Sequence, residues 1–227
     1  MTHPVDRQLR RLTTPRAAAL AGVLFALLFG TALVLLRTSL PAGSPLGAEW
    51  VEGSEERVRL AVVLMPFAGI AFLWFIGVVR DGLGELEDKF FATVFLGSGL
   101  LFLAMVFAST AVGAGLIASK QFVAQAASRT EVTAFGQALL VALSNTYALR
   151  MAAVFMISLG TIWWRTRLMP GWLVAVTYVV ALAVLVGSDL SRWTTVAFPV
   201  WVLVVSALLL VREVNPREYS TPTTDTA

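Results

Sequence analysis

Arg150 stands in the run LSNTYALRMAAVFMISLGTIWW, inside an otherwise apolar stretch, with Asn145, Thr146 and Tyr147 in the turn before it. A charge at the centre of a membrane-buried helix costs roughly 3 kcal/mol on insertion scales, so the structure around it must compensate. The planar guanidinium fork suits carboxylates and phosphates. One reading therefore gives Arg150, Asn145, Thr146 and Tyr147 an outward-facing polar cavity that receives an anionic group such as a lipid phosphate or a carboxylate. The simpler reading has Arg150 hydrogen-bonded to Asn145, Ser144 or backbone carbonyls and reaching outward to headgroups. If Arg165 marks the inner edge of the membrane, Arg150 lies about 22 Å above it, close enough to the outer edge to snorkel. Proton relay fits less well, because every Asp and Glu falls outside the apolar runs.

The next cluster is Asp81, Glu85, Glu87 and Asp88 in RDGLGELEDKFF. Hard cations bind clustered carboxylates, but the alternating acids of a calcium loop are missing. Acids before a helix also complement its positive end, which is the better reading here, so no metal site is expected. Ser98 in LGSGL lacks the spacing of a hydrolase elbow and has no base beside it. With no cysteine and a single histidine, His3, near the amino terminus, thiolate, haem and zinc chemistry have no ligand set, and no cofactor is expected.

These groups must be positioned by a chain that is 58% hydrophobic and 14% charged. Six runs are near the length needed to cross about 30 Å of hydrocarbon: Ala17 to Leu36, Leu60 to Val79, Phe91 to Ile117, Gly136 to Trp164, Trp172 to Gly187 and Thr194 to Val211. They are apolar all round, which excludes barrel strands, even for the Val-rich VTYVVALAVLV. The expected fold is all-α, a polytopic transmembrane bundle of six spans. The first run is too long for a cleaved signal and reads as a retained anchor.

With the amino terminus cytoplasmic, ten Lys and Arg fall inside and six outside, and the cluster Arg7, Arg10, Arg11 and Arg16 precedes the first span. Both termini are thus expected in the cytoplasm. Residues 1–16 form a cytoplasmic segment, 17–214 the membrane domain, and 215–227 a disordered tail. The intervening soluble pieces are an outer loop from Arg37 to Arg59 and an outer segment from Ser119 to about Phe135. The net charge of +3 and the pI near 9.8 follow from charges flanking the membrane, not from nucleic-acid binding.

Gly97, Ser98, Gly99, Ser109, Thr110, Gly113 and Gly115 read as a surface for close helix packing, with Gly69 and Gly77 as facing partners. Pro66 and Pro199 sit inside their runs. The segments VRDGLGELEDKFFATVFLGSGLLF, NTYALRMAAVFM and RLMPGWL resemble those of uncharacterised six-span integral membrane proteins of actinobacteria. That resemblance implies the plasma membrane of such a bacterium and carries no established activity. The expected role is a non-catalytic bundle that interacts with lipids, with other membrane proteins or with itself. The alternative is a small transporter or channel for an anionic or amphipathic solute using Arg150, and a membrane enzyme ranks third.

Overall fold

The computed structural model describes residues 4–39, 55–83, 89–119, 126–187 and 194–214. Among these residues all regular structure is helical: α1 (Pro4–Thr38), α2 (Glu55–Leu83), α3 (Lys89–Ser119), α4 (Ala126–Val141), a π-helical segment (Ala142–Ala148), α5 (Leu149–Thr166), α6 (Gly171–Gly187) and α7 (Thr194–Val214). Val141 and Leu149 keep right-handed helical dihedrals on either side of the π segment, so α4 and α5 form one continuous rod. Five rods are long and apolar enough to cross a membrane, and α6 is a shorter apolar helix. This architecture is compatible with a multi-pass membrane protein.

Two expectations about loops are corrected. Ala126 to Phe135 is helix, not an outer connecting segment, because α4 begins at Ala126. Residues 55–59 are the first turn of α2, where Glu55 and Glu56 complement the exposed amides of the helix start. His3, Glu85, Glu87, Asp88 and the tail from residue 215 lie outside the described residues.

Sequence propensity alone would make α6 a strand, since GWLVAVTYVVALAVLVG is rich in β-branched residues. In lipid the backbone must satisfy its own polar groups, and a helix does so within one segment. The apolar faces then divide by packing instead of polarity. On α2, Val58, Ala61, Met65, Ala68, Phe72 and Phe75 are buried, while Leu60, Val63, Phe67, Ile70 and Trp74 face outward. Both stripes have helical spacing and both are apolar, as a helix between protein and hydrocarbon requires.

The rods close into a ring. α1 packs on α2 and α7, α2 on α3, α3 along the α4–α5 rod, α5 on α6, and α6 on α7. A column of aromatic side chains fills the middle. Phe72 is fully buried at its centre, with ring centroids 4.7 Å from Phe25, 5.4 Å from Phe102, 5.3 Å from Phe155 and 5.7 Å from Phe198. Trp201 continues the column, 6.1 Å from both Phe198 and Trp163. Polar ties join the rods elsewhere: Trp201 Nε1 donates to Thr177 Oγ1 at 3.0 Å, and Thr161 shares a 2.7 Å hydrogen bond with Tyr178.

Glycines set the closest approaches, partly as the small-residue pattern suggested. A side chain on Gly69 would meet Phe107 of α3, and one on Gly99 would meet Ile76 of α2 and Phe155 of α5. Gly77 and Gly97 face open space and make no such contact.

Phe72→Ala is expected to destabilise the bundle by about 2 kcal/mol. Phe→Ala costs about 3–5 kcal/mol in water-soluble cores, but part of that is transfer from water. That part is absent when the separated helices remain in lipid, leaving lost contacts and a cavity. Thermal unfolding in detergent or nanodiscs checks this, and an unchanged midpoint would contradict the central packing role.

Candidate functional site

The polar residues of the fourth apolar run fall in and beside the π-helical segment, whose sequence is ALSNTYA. Single π turns inside α-helices are uncommon and recur at functional sites. Here two hydroxyls converge on the Leu140 carbonyl where the rod passes from α to π geometry: Ser144 Oγ donates to it at 2.7 Å and Ser109 Oγ of α3 at 3.2 Å. Side-chain donors that meet a carbonyl at a helix irregularity satisfy it where the main-chain ladder changes register.

Above this segment lies the end of α1. Arg37 Nη2 donates to Asn145 Oδ1 at 2.9 Å and to Thr195 Oγ1 at 3.0 Å. One guanidinium thereby ties α1 to the π segment and to the first turn of α7. Pro199 adds a local consequence, since it lacks the N–H that would bond the Thr195 carbonyl one turn earlier.

Beneath Arg37 is a cavity of about 80 Å³ on the bundle axis. Arg37, Asn145, Thr195, Ser144, Ser109 and Thr110 supply its polar lining. Phe29, Leu33, Met65, Phe102, Val106 and Phe198 supply its apolar walls. Among the described lining residues, Arg37 is the one that carries a charge. Phe29, Phe102 and Phe198 belong to the aromatic column, which closes the cavity toward the other end of the bundle.

That other end is marked by Arg165, whose guanidinium lies 4.7 Å above the Phe91 ring at the start of α3. Asn145 and Arg165 lie on the same rod with twenty residues between their positions, about 30 Å of helix. The Arg37 layer and the Arg165 layer are therefore about one hydrocarbon thickness apart.

Family profiles, curated proteins and solved structures gave no match. The site must therefore be read from its own chemistry. It offers a guanidinium, an amide and hydroxyls over an aromatic and aliphatic floor, with no acid or histidine in the described lining. Such a set can hold an anion with an apolar part and offers no general base to transform it.

Of the residues singled out in the sequence, Asn145 lines the cavity. Thr146 and Arg150 are half-buried and Tyr147 is 57% exposed, and none of the three is among the lining residues. Arg150 Nη1 donates to the Thr146 carbonyl of its own helix at 3.3 Å. Asp81 is exposed near the end of α2, and no group of three or more acidic, histidine or cysteine side chains that could hold a metal occurs among the described residues. Sequence reasoning missed Arg37 and Thr195. Their signal was positional: Arg37 closes the first apolar run and Thr195 lies at the start of the last, so an antiparallel pair brings them level.

Arg150→Lys is expected to change stability by no more than about 0.5 kcal/mol, because a lysine stem can lie along the same helix face. Thermal unfolding of the purified variant tests this. A loss of anion affinity greater than tenfold with the fold intact would instead make Arg150 part of the binding site.

Proposed function

We propose that the chain is a six-span, non-catalytic membrane protein of the bacterial plasma membrane that binds an amphipathic anion in the cavity beneath Arg37. The observation that carries this reading is the layered cavity: a guanidinium held by Asn145 and Thr195 at one end of the bundle axis, over a floor of Phe102, Phe198 and Val106. Binding of this kind joins a charge-assisted contact to burial of an apolar tail.

The six-span reading counts α6 as a crossing, since its 17 residues meet the lower limit for a tilted or thinned bilayer. Arg37 at the end of α1 meets Thr195 at the start of α7, so these helices run antiparallel. That pairing supports both chain ends on one side, and the arginines ahead of the first span favour the cytoplasm for it. The cavity then faces the outer leaflet. The apolar outward stripes of α2 and α6, including Trp74, Val179 and Leu182, form the surface offered to lipid or to membrane partners.

Translocation of the bound anion is the second reading, favoured by the position of the cavity on the bundle axis. It requires the column of Phe25, Phe72, Phe102, Phe155 and Phe198 to part, whereas this structure holds it closed.

The test compares anionic and cationic amphiphiles of equal apolar content by thermal unfolding of the purified protein. A ligand at one hundred times its Kd stabilises by about 2.7 kcal/mol, enough to move the midpoint by a few degrees. Anions should raise the midpoint and matched cations should not. Equal shifts from both, or none from either, would sink the reading.

A further inference from the structure

The size of the cavity and the placement of its donors narrow the ligand further, on the basis of the anion-binding reading above. A volume of about 80 Å³ compares with roughly 30 Å³ for a water molecule in the liquid and about 150 Å³ for an engineered cavity that admits benzene. At the packing density of protein interiors it holds on the order of five or six non-hydrogen atoms. A phospholipid or a long acyl chain is far too large.

The polarity of the lining decides the kind of anion. Asn145 turns its Oδ1 toward Arg37, which leaves its amide nitrogen as a donor without a hydrogen-bond partner among the described residues. The hydroxyls of Ser109, Thr110 and Ser144 already donate to the carbonyls of Leu140, Val106 and Leu140 respectively. Donors for a ligand are thus confined to the Arg37–Asn145 side, and the opposite wall is Phe102, Val106 and Phe198. Phosphate or sulfate presents oxygens in every direction, and those against the apolar wall would lose water without gaining a hydrogen bond. A carboxylate concentrates its charge at one end and matches a guanidinium and an amide donor there.

We propose that this cavity is a site for a short-chain monocarboxylate of about three to five carbons, carboxylate toward Arg37 and Asn145, alkyl tail against Phe102 and Phe198. The chain length follows from the volume, and the preference for carboxylate over phosphate follows from the one-sided donors.

The test is calorimetric titration of the full chain in phosphatidylcholine nanodiscs with butyrate, octanoate, inorganic phosphate and 1-butanol. Butyrate should bind saturably at one site per chain, at least tenfold more tightly than octanoate, phosphate or butanol. Arg37→Gln should weaken butyrate at least tenfold. Because Arg37 also joins three helical elements, Val106→Phe serves as an independent variant that fills the apolar part and leaves the guanidinium in place. It should abolish binding in a folded protein. Phosphate binding as tightly as butyrate, or octanoate binding more tightly, would overturn the short-carboxylate assignment and leave the anion cavity standing. Butyrate affinity unchanged in both folded variants would overturn its location. Failure of every anion to bind would overturn the assignment together with the function on which it rests.

Discussion

Replacing Arg37 by alanine is expected to lower the stability of the bundle by about 2 kcal/mol and to weaken anion binding more than tenfold. The stability loss comes from two hydrogen bonds made by a charged donor, each worth about 1.5–3 kcal/mol when buried and less here because Arg37 is only half-buried. The binding loss comes from removing the one charged side chain among the described lining residues. Arg37→Lys should recover part of the stability. Both hydrogen bonds leave from the same nitrogen, Nη2, and an ammonium can make two bonds from one nitrogen although its stem is shorter. Thermal unfolding and titration on the same samples separate the effects. An alanine variant as stable as the parent would show that Arg37 does not hold α1, the π segment and α7 together.

Gly22→Leu is expected to be the most damaging single substitution in the transmembrane ring, preventing normal assembly or costing about 3 kcal/mol. Gly22 lies where α1 passes closest to α7, and a Cβ built there would overlap Ser206 Oγ and come within 2.9 Å of Phe75. Ser206 is fully buried and its hydroxyl has no hydrogen-bond partner, so the α1–α7 contact rests on close packing. Alanine is a milder test, because the serine hydroxyl can rotate away. Leucine cannot be accommodated without separating the two helices, and overpacking of this kind costs about 1–3 kcal/mol even where neighbours can shift. The yield of monodisperse protein on gel filtration and its unfolding midpoint measure the effect. Parent-like values for both would mean that α1 and α7 do not pack at this residue.

The helices were legible because hydrocarbon leaves the chain few options. Long apolar runs must be helical there, so even the β-branched α6 was read correctly against its propensity. The limits of the runs were less legible. Hydropathy falls at the first polar residues, yet α2 begins at Glu55 and α4 at Ala126, because a helix can extend beyond the apolar layer. The same feature hid the cavity. Arg150 stood out because it interrupts a hydrophobic run, while its side chain turns back along its own helix to Thr146. Arg37 looked like an ordinary charge after a span, and only the ring of helices brings it over Asn145 and Thr195. No glycine or proline marks the π segment in ALSNTYA, although its concentration of polar side chains did direct attention to Asn145.

The chain contains no cysteine, so a single introduced thiol can report on the cavity without background. The most direct measurement is the labelling rate of Ser144→Cys in intact cells, using membrane-impermeant thiol reagents of matched size and opposite charge. Tyr147→Cys, 57% exposed in the parent and outside the cavity lining, is the control. The anionic reagent should modify Cys at position 144 from outside the cell several-fold faster than the cationic one, and Arg37→Gln should erase that preference while the control shows none. Equal rates for the two reagents at position 144, or modification only from the cytoplasmic side, would contradict an outward-facing anion site beneath Arg37.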